Sequence, residues 1–233
     1  MSAIADAVRA WERPRGAPAW VADHSHRAIG LRLIVTGFGF FALAGLAALV
    51  MRVQLAAPDR TVVGPETYDQ LFSLHGATMM SVFAVPVGLG FALYVVPLEL
   101  GTREAALPRL AAFAYWLFAA AAATLWIALA FGEAPDSGWF NYVPLASPRY
   151  QPGFHADVYA GCMLLLQVSA ILLAIVLITT ILCRRAPGMA LHKMPLMAWA
   201  VLVGSVMILF AMPPLVVACT MLVMESKLGA SFF

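Results

Sequence analysis

Residues 71–98 read LFSLHGATMMSVFAVPVGLGFALYVVPL. The run contains no Asp, Glu, Lys or Arg. About 20 apolar residues suffice to cross ~30 Å of hydrocarbon as a helix, so the stretch predicts a membrane span. Four further runs predict the same: Ile29–Met51, Leu110–Phe131, Asp157–Cys183 and Leu196–Met224. A lipid-facing backbone must satisfy its own hydrogen bonds, which favours helices here. A membrane β-barrel would instead need short alternating segments. The expected fold class is all-α, a polytopic membrane protein with five transmembrane helices over 29–51, 71–98, 110–131, 157–183 and 196–224.

Composition agrees. The chain has 233 residues, 63% hydrophobic and 11% charged, against about 45–50% and 25% in soluble domains. Such a balance excludes a disordered chain or a disulfide scaffold. A net charge of +2 is too small for an electrostatic footprint on nucleic acid, so membrane lipid is expected as a partner and nucleic acid is not. Cys162, Cys183 and Cys219 form no CxxC pair and read as small buried hydrophobes.

Residues 1–28 form a polar N-terminal segment, and 29–233 the bundle. No apolar core precedes a cleavage site, so the first span is expected to act as its own insertion signal. One set of helix ends carries Arg9, Arg13, Arg15, Arg27, Arg32, Arg103, Arg109, Arg184, Arg185 and Lys193. The other carries Arg52, Arg60, Arg149 and Lys227. This bias predicts a cytoplasmic N-terminus and an outer C-terminus, in a bacterial inner membrane. Five helices in an arc would leave a concave, partly polar face for a partner to cover.

His75 lies inside the second span, and an ionisable residue there is a functional candidate. Gly76 and Ala77 leave the backbone bare beside it, and Phe72, Met79, Val82 and Pro86 fall on its face at helical spacing. One imidazole on an apolar wall suits an axial haem ligand. It equally suits a histidine hydrogen-bonded between helices. Arg52 ends the first span at a depth expected to be close to that of His75, either reaching a polar haem substituent or snorkelling. Trp139 and Tyr142 lie in an outer loop, as cofactor neighbours or interfacial anchors. Glu104, in a short inner connection, could collect protons or be an ordinary solvated carboxylate. His24, His26, His155 and His192 show no metal-ligand spacing.

Several segments occur in order: Leu-His-Gly-Ala-Thr-Met-Met (74–80), Val-Pro-Leu-Glu-Leu-Gly (96–101), Leu-Pro-Arg-Leu (107–110) and Gly-Trp-Phe-Asn-Tyr-Val-Pro-Leu (138–145). Arg-Ala-Pro-Gly-Met (185–189), Pro-Leu-Met-Ala-Trp (195–199) and Leu-Gly-Ala-Ser-Phe-Phe (228–233) follow. Together they closely resemble the N-terminal part of subunit I of haem-copper terminal oxidases of the cytochrome c oxidase type.

The resemblance implies the first five helices of a twelve-helix core that reduces dioxygen to water and translocates protons. It assigns His75 to the low-spin haem, of a or b type, and Arg52 to the haem formyl group. Trp139 would lie near a haem propionate, with Tyr142 in the same motif, and Glu104 would stand at the inner proton entry. Asparagines of that proton route correspond to Leu93, Ala111 and Ala112, and the usual outer glutamate to Gln54. The copper ligands and the second low-spin haem ligand belong to later helices, so no copper site is expected within these residues. The implied partners are the missing helices, other oxidase subunits, and cytochrome c as electron donor. The reading is a truncated or split subunit I carrying electrons from cytochrome c to dioxygen. The alternative is a non-catalytic haem-binding, assembly or decayed paralogue protein.

Overall fold

The computed structural model describes residues 16–147, 149–151 and 153–232. Arg9, Arg13 and Arg15, which contribute to the charge bias, lie outside the described residues, as does Phe233. The described residues contain helices and no strand. A short helix α1 (Ala17–Ala22) precedes α2 (His26–Gln54), α3 (Pro65–Glu99), α4 (Pro108–Ala130), α5 (His155–Cys183) and α6 (Leu196–Leu228). The last five are long and apolar enough to cross a membrane.

Most of the helices extend past the apolar runs that mark them. The second starts six residues before Leu71, and the last ends four after Met224. Hydropathy sees only the part in lipid, whereas helices continue until a cap stops them. Ser25 starts α2, its Oγ accepting from the Ala28 N–H at 3.3 Å. Pro65 follows Gly64 at the start of α3. Gly229, at φ 66°, ends α6 in the left-handed conformation a glycine adopts without strain. At ~1.5 Å per residue, the 29 residues of α2 measure about 43 Å. The helix is therefore longer than a ~30 Å hydrocarbon layer is thick.

The long α3 is not uniform. Thr78–Ala84 is a π-helical segment between two α-helical ones. It lies directly before Pro86, whose ring in a regular α-helix would collide with the carbonyl four residues back. The wider turn makes room, and it rotates everything beyond it relative to His75. The single apolar face expected from Phe72 to Pro86 is therefore broken: Phe72 is 53% exposed while Val82 is wholly buried.

The helices do not form an arc. α2, α3, α4 and α5 close on one another, and α6 packs on α5 and the C-terminal part of α3. Small residues allow close approach, as expected where lipid gives no hydrophobic drive between helices. Gly30 of α2 and Gly90 of α3 meet backbone to backbone: a Cβ on Gly30 would stand 2.7 Å from the Gly90 carbonyl oxygen, and one on Gly90 2.8 Å from that of Gly30. Between α4 and α5, Ala114, Ala121 and Ala122 face Leu166, Ala170 and Leu173 in one core. Ser169 Oγ there donates to the Ala114 carbonyl at 2.7 Å. Near the start of α5 and the end of α6, Lys227 Nζ sits 2.6 Å from Asp157 Oδ2. The free side of α6 is apolar, with Leu196, Met207 and Phe210 exposed, rather than partly polar.

Gly90→Val is expected to force α2 and α3 apart and cost about 1–3 kcal/mol. Thermal unfolding in detergent checks this. Gly39→Val, at a position with nothing within 4 Å of the added Cβ, should leave the midpoint unchanged.

Candidate functional site

His75 is the last residue but two of the first α-helical part of α3, half-buried. Its Nδ1 lies 2.9 Å from the Ala44 carbonyl oxygen of α2. A carbonyl can only accept, so Nδ1 carries the hydrogen and Nε2 keeps its lone pair. No described residue hydrogen-bonds that Nε2. The bond to the Ala44 carbonyl fixes the ring in one tautomer and orientation. The π segment begins three residues later, a feature frequent at functional sites. Thr78 at its start accepts a hydrogen bond from Trp126 Nε1 of α4 at 3.0 Å, holding the irregular turn.

Trp139 arrives from the loop between α4 and α5 and lies against Gly76. A Cβ on Gly76 would stand 2.7 Å from Trp139 Cβ and 2.9 Å from Cγ, so only glycine admits the indole there. Three further bonds seat the loop. Gln70 Nε2 donates to the Gly132 carbonyl at 2.8 Å. The Gly138 N–H donates to Ser73 Oγ at 2.8 Å. Tyr159 of α5 donates its hydroxyl to the Trp139 carbonyl. Tyr142 is exposed and stacks on Phe140, which in turn lies against Trp139, their centroids 5.2 and 3.8 Å apart. It belongs to the loop's aromatic layer, with no described contact to His75.

Arg52 is exposed in the last turn of α2 and makes no hydrogen bond or ion pair with the described residues. Its depth differs from expectation. His75 is level with Ala44, and Arg52 lies eight residues beyond Ala44, about 12 Å further along the axis. The Arg52 Cα–Cβ bond tilts toward the N-terminus of α2, as in any α-helix. Gln54 is occupied: its Oε1 accepts from the Val62 and Val63 N–H groups at 3.3 and 2.9 Å, closing the loop between α2 and α3 on itself.

At the opposite end, Glu104 Oε2 accepts from the His26 backbone N–H at 3.3 Å and faces His26 Nδ1 at 3.2 Å. The carboxylate is largely exposed and the imidazole buried. Above this pair Leu93, Ala111 and Ala112 are buried and apolar.

The sequence profile described as cytochrome c and quinol oxidase polypeptide I matches residues 28–233. The chain belongs to that family. A putative cytochrome c oxidase subunit 1-beta of Streptomyces coelicolor is 39% identical over 217 residues, covering 92% of this chain and 38% of that protein. Cytochrome c oxidase subunit 1 of Corynebacterium glutamicum is 35% identical over 222 residues, covering 94% and 38%. A haem-copper oxidase subunit I+III of Aeropyrum pernix is 38% identical over 216 residues, covering 92% and 26%. The chain thus spans less than two-fifths of the length of these subunit I relatives.

Sequence reasoning missed His26 as the partner of Glu104, and Ser73, Tyr159 and the Ala44 carbonyl as supports. Their partners lie 78, 65, 20 and 31 residues away, beyond any local pattern. The signal for the indole seat was present as Gly76 beside His75. Among the described residues no three His, Cys, Asp or Glu side chains cluster as a metal site.

Gly76→Ala is expected to lift Trp139 and loosen the loop at a cost of about 1–3 kcal/mol. Amide hydrogen exchange over residues 132–147 should then quicken by roughly one to two decades, with the α5 core unchanged.

Proposed function

We propose that this chain forms the N-terminal helices of a cytochrome c oxidase subunit I and contributes one ligand to a low-spin haem. The observation that carries the reading is the Nδ1–H bond from His75 to the Ala44 carbonyl. It leaves Nε2, on a half-buried side chain, as the available donor, which is the chemistry haem iron takes from imidazole. A bound haem supplies one-electron redox chemistry. The rest falls to the protein. The α2 backbone holds the His75 ring, the π segment and Trp126 set its place on α3, and Trp139 over Gly76 covers the outer side. Arg52 would donate to a polar substituent such as a formyl oxygen. Tyr142 extends the aromatic layer around Trp139.

In the assembled oxidase, electrons would pass from cytochrome c to dioxygen, with copper ligands and the second haem ligand supplied by other helices. The membrane would be the bacterial inner membrane, with the N-terminus cytoplasmic. Glu104, bonded to His26, would take up protons on that side. The apolar trio Leu93, Ala111 and Ala112 supports a second reading for this end. With no side chain among them able to relay a proton, conduction inward from Glu104 would have to take another path. A non-catalytic haem-binding or assembly protein would also keep the His75 arrangement and lack that path.

A reduced-minus-oxidised spectrum of the protein purified from its membrane tests the haem assignment. His75→Ala should lower haem per chain roughly tenfold or more while helical content and elution volume stay unchanged. Arg52→Gln should retain haem and shift its visible band. Unchanged haem in a folded His75→Ala variant would sink the assignment.

A further inference from the structure

Arg32 lies in the second turn of α2 and is 2% exposed. Its Nε and both terminal nitrogens are buried without a hydrogen-bond partner. An uncompensated buried charge is among the most costly features a fold can carry, so this guanidinium calls for an anion. Its described neighbours are aromatic. The Trp20 ring lies over it at 4.4 Å and the Tyr115 ring of α4 at 5.9 Å. Neither ring offers an oxygen in hydrogen-bond reach.

Position indicates which anion. α2 runs about 43 Å, so centred on a ~30 Å hydrocarbon layer it would extend about 6–7 Å past it at each end. Arg32 is six residues from the start of α2, about 9 Å along the axis. Its Cα thus falls just inside the apolar boundary. The side chain leans toward the N-terminal end and so reaches the level of lipid phosphates. Trp20, Tyr115 and Trp116 make an aromatic layer at the same level, as at a membrane interface. Arg103 and Arg109, both exposed, add positive charge at this end of the bundle.

Trp20 closes the place. It is 51% exposed and rides on the six-residue α1, joined to α2 by the extended residues 23–25. A small rotation of that link would move the indole off the guanidinium without disturbing a spanning helix.

We propose that Arg32 is the anchor of a site for the phosphodiester headgroup of an anionic phospholipid, with Trp20 as its cover. The guanidinium fork takes two phosphate oxygens, and the acyl chains lie along the apolar outer surface of α2.

The test uses the full chain in detergent, titrated with phosphatidylglycerol, phosphatidylcholine or inorganic phosphate. It is followed by thermal unfolding and by native mass spectrometry of retained lipid. Phosphatidylglycerol is expected to raise the midpoint and remain bound. Phosphatidylcholine should act more weakly, and inorganic phosphate not at all at the same concentration. Arg32→Gln should weaken phosphatidylglycerol binding by about fivefold or more, the worth of one arginine at a lipid surface. Trp20→Ala keeps the charge and should bind phosphatidylglycerol more tightly, which keeps the proposal testable if Arg32→Gln fails to fold. Equal protection by inorganic phosphate would make this a free-anion site and overturn the lipid assignment. Unchanged phosphatidylglycerol binding in a folded Arg32→Gln variant, or in Trp20→Ala, would overturn the site itself.

Discussion

Inside a bilayer no water is available to backbone amides, and every N–H and C=O must find its partner within the protein. For a chain with 63% hydrophobic residues this constraint sets nearly everything else. It makes each apolar run a helix, and it makes each departure from a helix a place needing support. The π segment at Thr78–Ala84 is one such place, and Trp126 of the neighbouring helix reaches across to Thr78. Pro213 and Pro214 inside α6 are another. They leave the carbonyls of Leu209 and Phe210 without their helical donors, on a helix that packs along one side only.

The same scarcity of water gives several polar side chains in the bundle a particular job. The Ser169, Thr36 and Tyr115 hydroxyls join helices, as does His75 through its Nδ1–H. Thr180 Oγ1 donates to its own helix and accepts from the Ala106 N–H, pinning the connection between α3 and α4 to α5. Against this background Arg32 stands out, because it is buried like the others yet has no such bond. His75 differs in another way, since it spends one nitrogen on the fold and keeps the second available.

The glycines divide by what presses on them. Gly30 and Gly90 let two helices touch, and Gly76 lets an indole from a distant loop lie on α3. All three look alike in the sequence as small residues in apolar runs. Only the identity of the neighbour shows that the first two seat a helix and the third seats a loop beside His75.

The five spans, their order and the helical class were legible because lipid burial writes itself into continuous apolar runs. His75, Arg52, Trp139 and Glu104 were legible only as candidates, because they are exceptions within or beside those runs. What the runs could not carry was the relation between helices. Hydropathy is the same for an arc and for a closed group of four with a fifth on its flank. It is blind to a π turn that rotates half of α3, and to a depth offset of about 12 Å between Arg52 and His75. The pairing of Glu104 with His26 and the seating of Trp139 on Gly76 join residues 78 and 63 positions apart. The sequence determined which segments enter the membrane, because that depends on the side chains of one segment alone. The tertiary structure decided which polar groups meet, because that depends on how close two helices can come.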